Sequence, residues 1–311
     1  MKLLKPEIDI IKHWKRDIFQ PIVSISCITF NHEKYIRDAL EGFIMQRTTF
    51  PFVIVILDDA STDGNPEIIR EYEKKYPKLF RCFLLKENTW GKPNRREIIK
   101  PYLDAREEGK YIALCEGDDY WTDPYKLQKQ VDFLEANEGY SLCFHRFFII
   151  DEESKSLSPF IRKQSSTIVD FAQMRIPIQP LTTMFRNELK PIIPADYILR
   201  MTGANFLFLR LAEIGKFKYM KDPMAVYRIH SGGIWSGKNR LEKEKMAIDN
   251  IVCMIDYINH RKSIRKILIS QYFKKVLITM LYSIYQKDVY SIKIMIKKIF
   301  KIQYWGYLLL D

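Results

Sequence analysis

Through the first half of the chain, short and mostly apolar runs alternate with stretches whose apolar residues return every three or four positions. The runs are Ile22–Thr29, Phe52–Leu57, Phe80–Leu85 and Tyr111–Cys115. Each has the length and β-branched content of a strand buried on both faces. Between them, Ile36, Leu40, Phe43 and Ile44 predict a helix reaching about Gln46, with Asn31 as its N-cap. Pro66 suits the first turn of a second helix carrying Ile68, Ile69 and Tyr72. A third helix is expected near Arg95–Arg106, and a fourth over Pro124–Asn137 with Leu127, Val131 and Leu134 on one face. This alternation predicts an α/β fold, a mostly parallel sheet flanked by helices.

Past Tyr140 the pattern loosens. Tyr140–Ile150 reads as a strand, 151–200 as loop with short apolar pieces, and Asn205–Ala212 as a buried helix ended by Gly215. Met224–His230 alternates like a strand and runs into Ser231-Gly232-Gly233. From about Leu241 the texture changes to helices rich in Lys, Ile, Leu and Tyr. The expected division is therefore an α/β domain over 1–238 and a basic amphipathic helical region over 239–311.

The chemistry concentrates where the apolar runs stop. Tyr111–Cys115 ends at Glu116-Gly117-Asp118-Asp119-Tyr120-Trp121, and Phe52–Leu57 ends at Asp58-Asp59-Ala60-Ser61-Thr62-Asp63-Gly64. Clustered carboxylates make either a solvated acidic turn or an oxygen-rich site for a divalent cation such as Mg2+ or Mn2+. The spacing alone serves both readings equally. In parallel sheets ligands sit at the carboxyl ends of strands, and both acidic pairs fall there, which favours a site.

Composition narrows the classes. The chain has 311 residues, 47% of them hydrophobic, with few Gly and Pro, which excludes a disordered chain. Cys27, Cys82, Cys115, Cys143 and Cys253 show no C-x-x-C spacing, which argues against zinc or a disulfide framework and for a reducing compartment. Met1–Glu7 is too charged for a signal peptide, and no uncharged run approaches the ~20 residues of a membrane span, so a non-spanning protein is expected. The formal charge is +12, and eleven Lys and Arg residues between Arg261 and Lys301 face a lone acid, Asp288. Such an excess seeks nucleic acid, anionic membrane or phosphorylated ligands.

Val23–Asn31, Leu57–Gly64, Glu116–Trp121 and Tyr227-Arg228-Ile229-His230-Ser231-Gly232-Gly233 occur together and in order. In this the chain resembles glycosyltransferase family 2, inverting bacterial enzymes of the GT-A fold that use nucleotide-sugar donors. The match covers roughly 20–235 and leaves the basic C-terminal part outside. The resemblance implies that Ile28, Phe30 and Asn31 border the base and ribose of the donor and that Asp59 accepts a hydrogen bond from the base. It implies Asp118 near the sugar and ribose, Asp119 and His230 as ligands of Mn2+ or Mg2+, and Arg228 as a phosphate clamp. Asp63, beside Gly64, is the better candidate for a turn former. Lys92, Asn94 and Arg95 read as a solvated basic loop. Trp121 suits stacking on a sugar or simple packing.

One position departs from the family pattern. An inverting transferase needs a carboxylate to take the acceptor proton, and Ala204, in Thr202-Gly203-Ala204-Asn205, stands where that Asp is expected. Asp196 could serve instead, the activity could have been lost, or Ala204 could be an engineered substitution; the intact remaining motifs favour the last. The resemblance further implies a UDP-sugar donor and a glycan or polyprenyl-diphosphate-linked acceptor in surface polysaccharide synthesis. The expected location is cytoplasmic, peripheral at the inner face of the membrane, with the C-terminal region on an anionic membrane surface. A non-catalytic GT-A module that binds nucleotide-sugar or scaffolds an assembly is the alternative. Nucleic acid is not an expected partner, because no nucleic-acid-binding motif is present and acidic strand ends repel phosphate without a metal.

Overall fold

The computed structural model describes residues 6–15, 20–151, 154–187, 204–233 and 237–299. In chain order the elements are α1 (Glu7–Ile11), β1 (Val23–Thr29), α2 (Ile36–Ile44), β2 (Phe52–Asp58), α3 (Asn65–Lys75), β3 (Phe80–Leu84), α4 (Arg95–Ile98), α5 (Lys100–Arg106), β4 (Tyr111–Leu114) and β5 (Tyr120–Trp121). There follow α6 (Lys126–Glu135), β6 (Tyr140–Ile150), β7 (Lys155–Leu157), β8 (Ser165–Ser166), α7 (Ile168–Ala172), β9 (Met184–Arg186), α8 (Asn205–Ile214), β10 (Lys216–Arg228), α9 (Arg240–Tyr257), α10 (Lys262–Tyr285) and α11 (Val289–Ile299). They divide into two compact units. The first is 1–165, 178–191 and 214–229; the second is 166–177, 192–213 and 230–311.

In the first unit the sheet runs β3-β2-β1-β4-β9-β6-β10-β5. β1 pairs in parallel with β2 and β4, and β2 with β3, as the continuous apolar runs predict. The second half is mixed: β9 is antiparallel to β4 and β6, β10 is parallel to β6, and β5 is antiparallel to β10. Every residue of β2 is buried, because its side chains alternate between two covered faces. Ile54 and Ile56 join Ile25, Cys27, Leu40, Phe43 and Ile69 on one side. Val53, Val55 and Leu57 pack with Ile99 and Tyr102 on the other.

Three sequence expectations are corrected. Asn31 does not cap a helix: it holds a left-handed φ of 53°, and α2 begins five residues later, after Tyr35. The expected helix over Arg95–Arg106 breaks into α4 and α5 at Ile99, two residues before Pro101, which has no N–H to donate. The strand expected over Met224–His230 starts earlier, at Lys216, and ends at Arg228. Its pairing with β6 shifts register around Pro223, so the proline sits in an irregularity and the strand passes through it.

In the second unit α10 packs against α7, α9 and α11. Asn239 and Glu242 form a reciprocal capping box at the start of α9. The side chain of Glu213, near the end of α8, is covered by four partners: it accepts from Arg210 at 2.8 Å and Tyr257 OH at 3.2 Å and lies 2.8 Å from His260 Nε2 and 3.5 Å from Arg261 Nε. Among the described residues, α10 is the one helix long and apolar enough to cross a membrane by length and composition, and 33% of its most apolar window is buried in the protein.

The first unit also encloses a lysine. Lys126 is fully buried, donates to Gln130 Oε1 at 2.7 Å and lies 3.9 Å from the centre of the Trp121 ring. Burial pulls its ammonium down to about 7 from the ordinary value near 10.5. The unfolded chain therefore holds this proton between pH 7 and 10.5 while the folded protein does not, so this group's contribution to stability rises with pH across that window. Lys126→Met removes that slope. Relative to wild type, its melting temperature is expected to be highest near pH 7 and to lose that advantage towards pH 9; a pH-independent difference in scanning calorimetry would contradict the assignment.

Candidate active site

The site of the first unit gathers at the carboxyl ends of β1, β2 and β4. The chain leaves β4 through Cys115 and turns at Gly117. A side chain there would collide with Thr29, whose Oγ1 lies 2.5 Å from the position a Cβ would take. Glycine at this point lets the acidic turn lie directly on the end of β1. Thr29 also meets His32 Nδ1 at 3.2 Å, and the opposite ring nitrogen, Nε2, lies 3.7 Å from Asp118 Oδ2. His32 is thus held between β1 and the acidic turn, and nothing in its sequence context singled it out.

Asp119 is buried, and its Oδ1 accepts the backbone N–H of Arg228 at 2.9 Å, which ties the turn to the end of β10. Burial first, then the neighbouring charges of Asp118 and Glu116, push its carboxyl well above the ordinary range. Glu116 is pushed up to about 7, by burial and then by Asp118. Asp118 and His32, side by side, offer the oxygen and nitrogen donors that a divalent cation such as Mn2+ or Mg2+ takes, and Glu116 and Asp119 add carboxylates beside them. The residues fit such an ion.

Arg228 supplies the positive charge of the site. Its guanidinium lies 4.5 Å from the centre of the Tyr120 ring and 5.2 Å from that of Tyr35. It also pairs with Asp38 and donates to Asp118 O at 3.3 Å. Two aromatic faces and an acid fix the orientation of the guanidinium that the resemblance gives as a phosphate clamp.

The two acids after β2 have different tasks. Asp58 builds the turn: it accepts from Ser61 N (2.8 Å), Ser61 Oγ (2.6 Å) and Asn65 Nδ2 (2.6 Å). Asp59 points elsewhere. Its Oδ1 accepts from Thr89 N at 2.8 Å and Thr89 Oγ1 at 2.7 Å, and its Oδ2 lies 3.5 Å from Arg95 NH1. Arg95 is buried and sits 5.4 Å from the Trp90 ring centre, which corrects its reading as part of a solvated loop. Lys92 pairs with Glu87 at 3.0 Å. Asp63 accepts from Glu33 N and Asn65 N, the work of a turn former.

Asn31 crosses to this same turn. It donates its N–H to Ser61 Oγ and accepts from Thr62 N, both at 2.8 Å. Ile28 and Phe30, on either side of Thr29, are exposed at the strand end. Trp121 is buried against Phe43 and donates Nε1–H to Leu181 O at 2.9 Å, so it packs rather than offering a ring to ligand. Ala204 and His230 belong to the second unit. Ala204 O accepts Phe208 N–H at 3.0 Å and opens α8, while His230 O accepts Gly233 N–H at 3.2 Å. Asp196 lies outside the described residues.

The sequence matches the family described as Glycosyl transferase family 2 over residues 24–193. The protein Rv1520 of Mycobacterium tuberculosis is 38% identical over 221 residues, covering 68% of this chain and 60% of its own length. The chain thus spans about 60% of the length of the first curated relatives it matches. TuaG of Bacillus subtilis, named provisionally as a teichuronic acid biosynthesis glycosyltransferase, is 27% identical, covering 73% of this chain and 86% of its own. Among solved structures, S. aureus TarS 1–349 in complex with UDP-GlcNAc superposes with a TM-score of 0.59 at 18% identity, over 81% of this chain and 72% of that one. The mannosyltransferase PcManGT from Pyrobaculum calidifontis, in complex with GDP-Man and Mn2+, gives 0.55 at 15%, over 97% and 88%. These two likenesses establish the fold, a mixed α/β sheet of GT-A type.

The contact at Gly117 is open to test. Gly117→Ala is expected to cost about 1–3 kcal/mol of stability, because the added methyl meets a threonine anchored by His32 and Asn65. Urea unfolding checks this; an unchanged midpoint would mean that the turn does not press on β1.

Proposed function

The chain belongs to glycosyltransferase family 2, and on that premise we propose an inverting, metal-assisted transferase. It moves a sugar from a nucleotide donor, a UDP-sugar, to a hydroxyl of a glycan or polyprenyl-linked acceptor in surface polysaccharide synthesis. The observation that carries this reading is the acidic turn at the end of β4, with Asp118 beside His32 and Asp119 bound to the backbone of Arg228. Structural neighbours support the donor class, since they hold UDP, UDP-GlcNAc, or GDP-Man with Mn2+.

In this reading Asp118 and Asp119 hold the ion, with His32 and the motif's His230 as candidate nitrogen ligands. When bound, the ion supplies positive charge against the donor diphosphate and the departing nucleotide. Arg228, held between its two tyrosines, faces phosphate. Ile28, Phe30, Asn31 and Asp59 border the nucleoside. The region 239–311 engages an anionic membrane surface at the cytoplasmic side, where a lipid-linked acceptor presents its hydroxyl.

Proton removal from that hydroxyl is the weak point. A general base contributes ~10²–10⁴ in rate, and Ala204 has none to offer. A second reading, a donor-binding module that does not turn over, draws its support from that residue.

Isothermal titration calorimetry with UDP tests the first claim. Wild-type protein is expected to bind UDP with Mn2+ and poorly without it. Asp119→Asn keeps an acceptor for Arg228 N–H but removes the charge, and should lose at least the ~10–100-fold typical of perturbed metal sites. Binding that ignores metal and falls steeply with salt would instead indicate simple charge attraction.

Donor turnover tests the second. Ala204→Asp is expected to raise the rate by ~10²–10⁴, whereas Ala204→Asn, which can cap α8 equally well, should stabilise the protein without accelerating it. Equal rates in the two variants would remove position 204 as the site of the base.

A further inference from the structure

One helix of the second unit wears its two sides the wrong way round for water. In the C-terminal half of α10 the inward residues are Tyr272, Val276, Thr279 and Ser283. Thr279 Oγ1 donates to Lys275 O at 2.8 Å and Ser283 Oγ to Thr279 O at 2.9 Å, so these hydroxyls are spent on their own helix. The residues left outside are Leu277, Ile278, Leu281, Ile284 and Tyr285, with Leu281 57% and Tyr285 80% exposed. Their spacing makes one continuous helical stripe. The adjoining α11 also exposes Val289, Ile296 and Tyr290, the last 72% exposed. Single exposed apolar residues are ordinary; a contiguous row is not.

Charge identifies what covers it. Lys274, Lys293 and Lys297 are exposed along the same two helices, and Lys287 in the turn between them. The one acid between Arg261 and Lys301, Asp288, accepts from Ser291 N at 3.0 Å, at the start of α11. A second copy packed across a two-fold axis would bring these lysines towards one another. An anionic bilayer neutralises them, and tyrosines such as Tyr285 and Tyr290 suit the boundary between acyl chains and headgroups. The opposite side of α10 is committed to protein. Lys275 pairs with Glu244 of α9 at 2.6 Å, and Tyr272 OH donates to Lys298 O of α11 at 2.9 Å. A helix engaged in this way lies in the interface rather than crossing the membrane.

We propose that the outer face of α10 and α11 is a lipid-inserting face that seats the protein shallowly in an anionic bilayer. Leu277, Ile278, Leu281, Ile284 and Tyr285 enter the acyl boundary, and the lysines stay at headgroup level. The proposal rests on the reading of 239–311 as a membrane-engaging region and adds to it an apolar insertion with named residues.

Flotation of the full chain with phosphatidylglycerol–phosphatidylcholine vesicles, and with phosphatidylcholine alone, tests it. Light scattering reports the oligomeric state alongside. Leu281→Gln combined with Ile284→Gln changes exposed residues, and circular dichroism verifies that it folds. Wild type is expected to float with anionic vesicles, and the double variant to bind them about tenfold or more weakly. As a direct probe, Tyr285→Trp should blue-shift its fluorescence on the same vesicles. Equal binding by wild type and the double variant would overturn the insertion while leaving charge-driven membrane association standing. No binding by wild type at low salt would overturn both. Self-association abolished by the double variant, without vesicle binding, would assign the stripe to a second copy and overturn the proposal.

Discussion

Three carboxylates within four residues, at the end of one strand, repel one another, and much of the first unit is arranged to hold them together nonetheless. Gly117 lets the turn press on Thr29, and Thr29 in turn holds His32 against Asp118. Asp119 closes on the backbone of Arg228, and the guanidinium of that residue is steadied by Tyr35, Tyr120 and Asp38. Burial first, and then the neighbouring charges, push Glu116 up to about 7 and hold the Asp119 carboxyl well above its ordinary range. Such an arrangement costs stability unless something positive enters it. In the proposed function a metal–diphosphate donor would add positive charge to that of Arg228 through its ion, the chemistry that the family's nucleotide-sugar donors would bring.

Strands β1 to β4 were legible because each is a local, mostly continuous apolar run, and β2, buried along its whole length, is the clearest case, whereas the short β5, β7, β8 and β9 carry no such run. The acidic turns were legible as well, since they interrupt those runs. What escaped were arrangements decided by distant partners. Asn31 looked like a helix cap, yet its left-handed backbone and its bonds to Ser61 and Thr62 join two loops some thirty residues apart in sequence. Arg95 looked solvated because its acidic partner, Asp59, lies beyond a strand and a loop. Asp38 and Arg228 are separated by 190 positions, and no local pattern could pair them. The strand expected to begin at Met224 runs back through Pro223 to Lys216, because irregular pairing with β6 absorbs the proline.

The basic C-terminal region shows the same division between what is local and what is not. Its charge excess and helical periodicity are properties of the sequence. Which face of α10 turns inward is decided by α9 and α11, and the choice buries Thr279 and Ser283 while leaving Leu281 and Ile284 outside. A helix that spends its small hydroxyl residues on its inner face and its large apolar residues on its outer face fits a surface that is itself apolar.

The claim that the acidic turn receives a metal–diphosphate donor is tested most directly by locating the ion. Crystals grown with Mn2+ and UDP, measured at the manganese absorption edge, should give an anomalous peak coordinated by Asp118 or Asp119 and by the diphosphate. An ordered UDP elsewhere on the protein, or a UDP at this turn with no manganese peak beside it, would contradict the account.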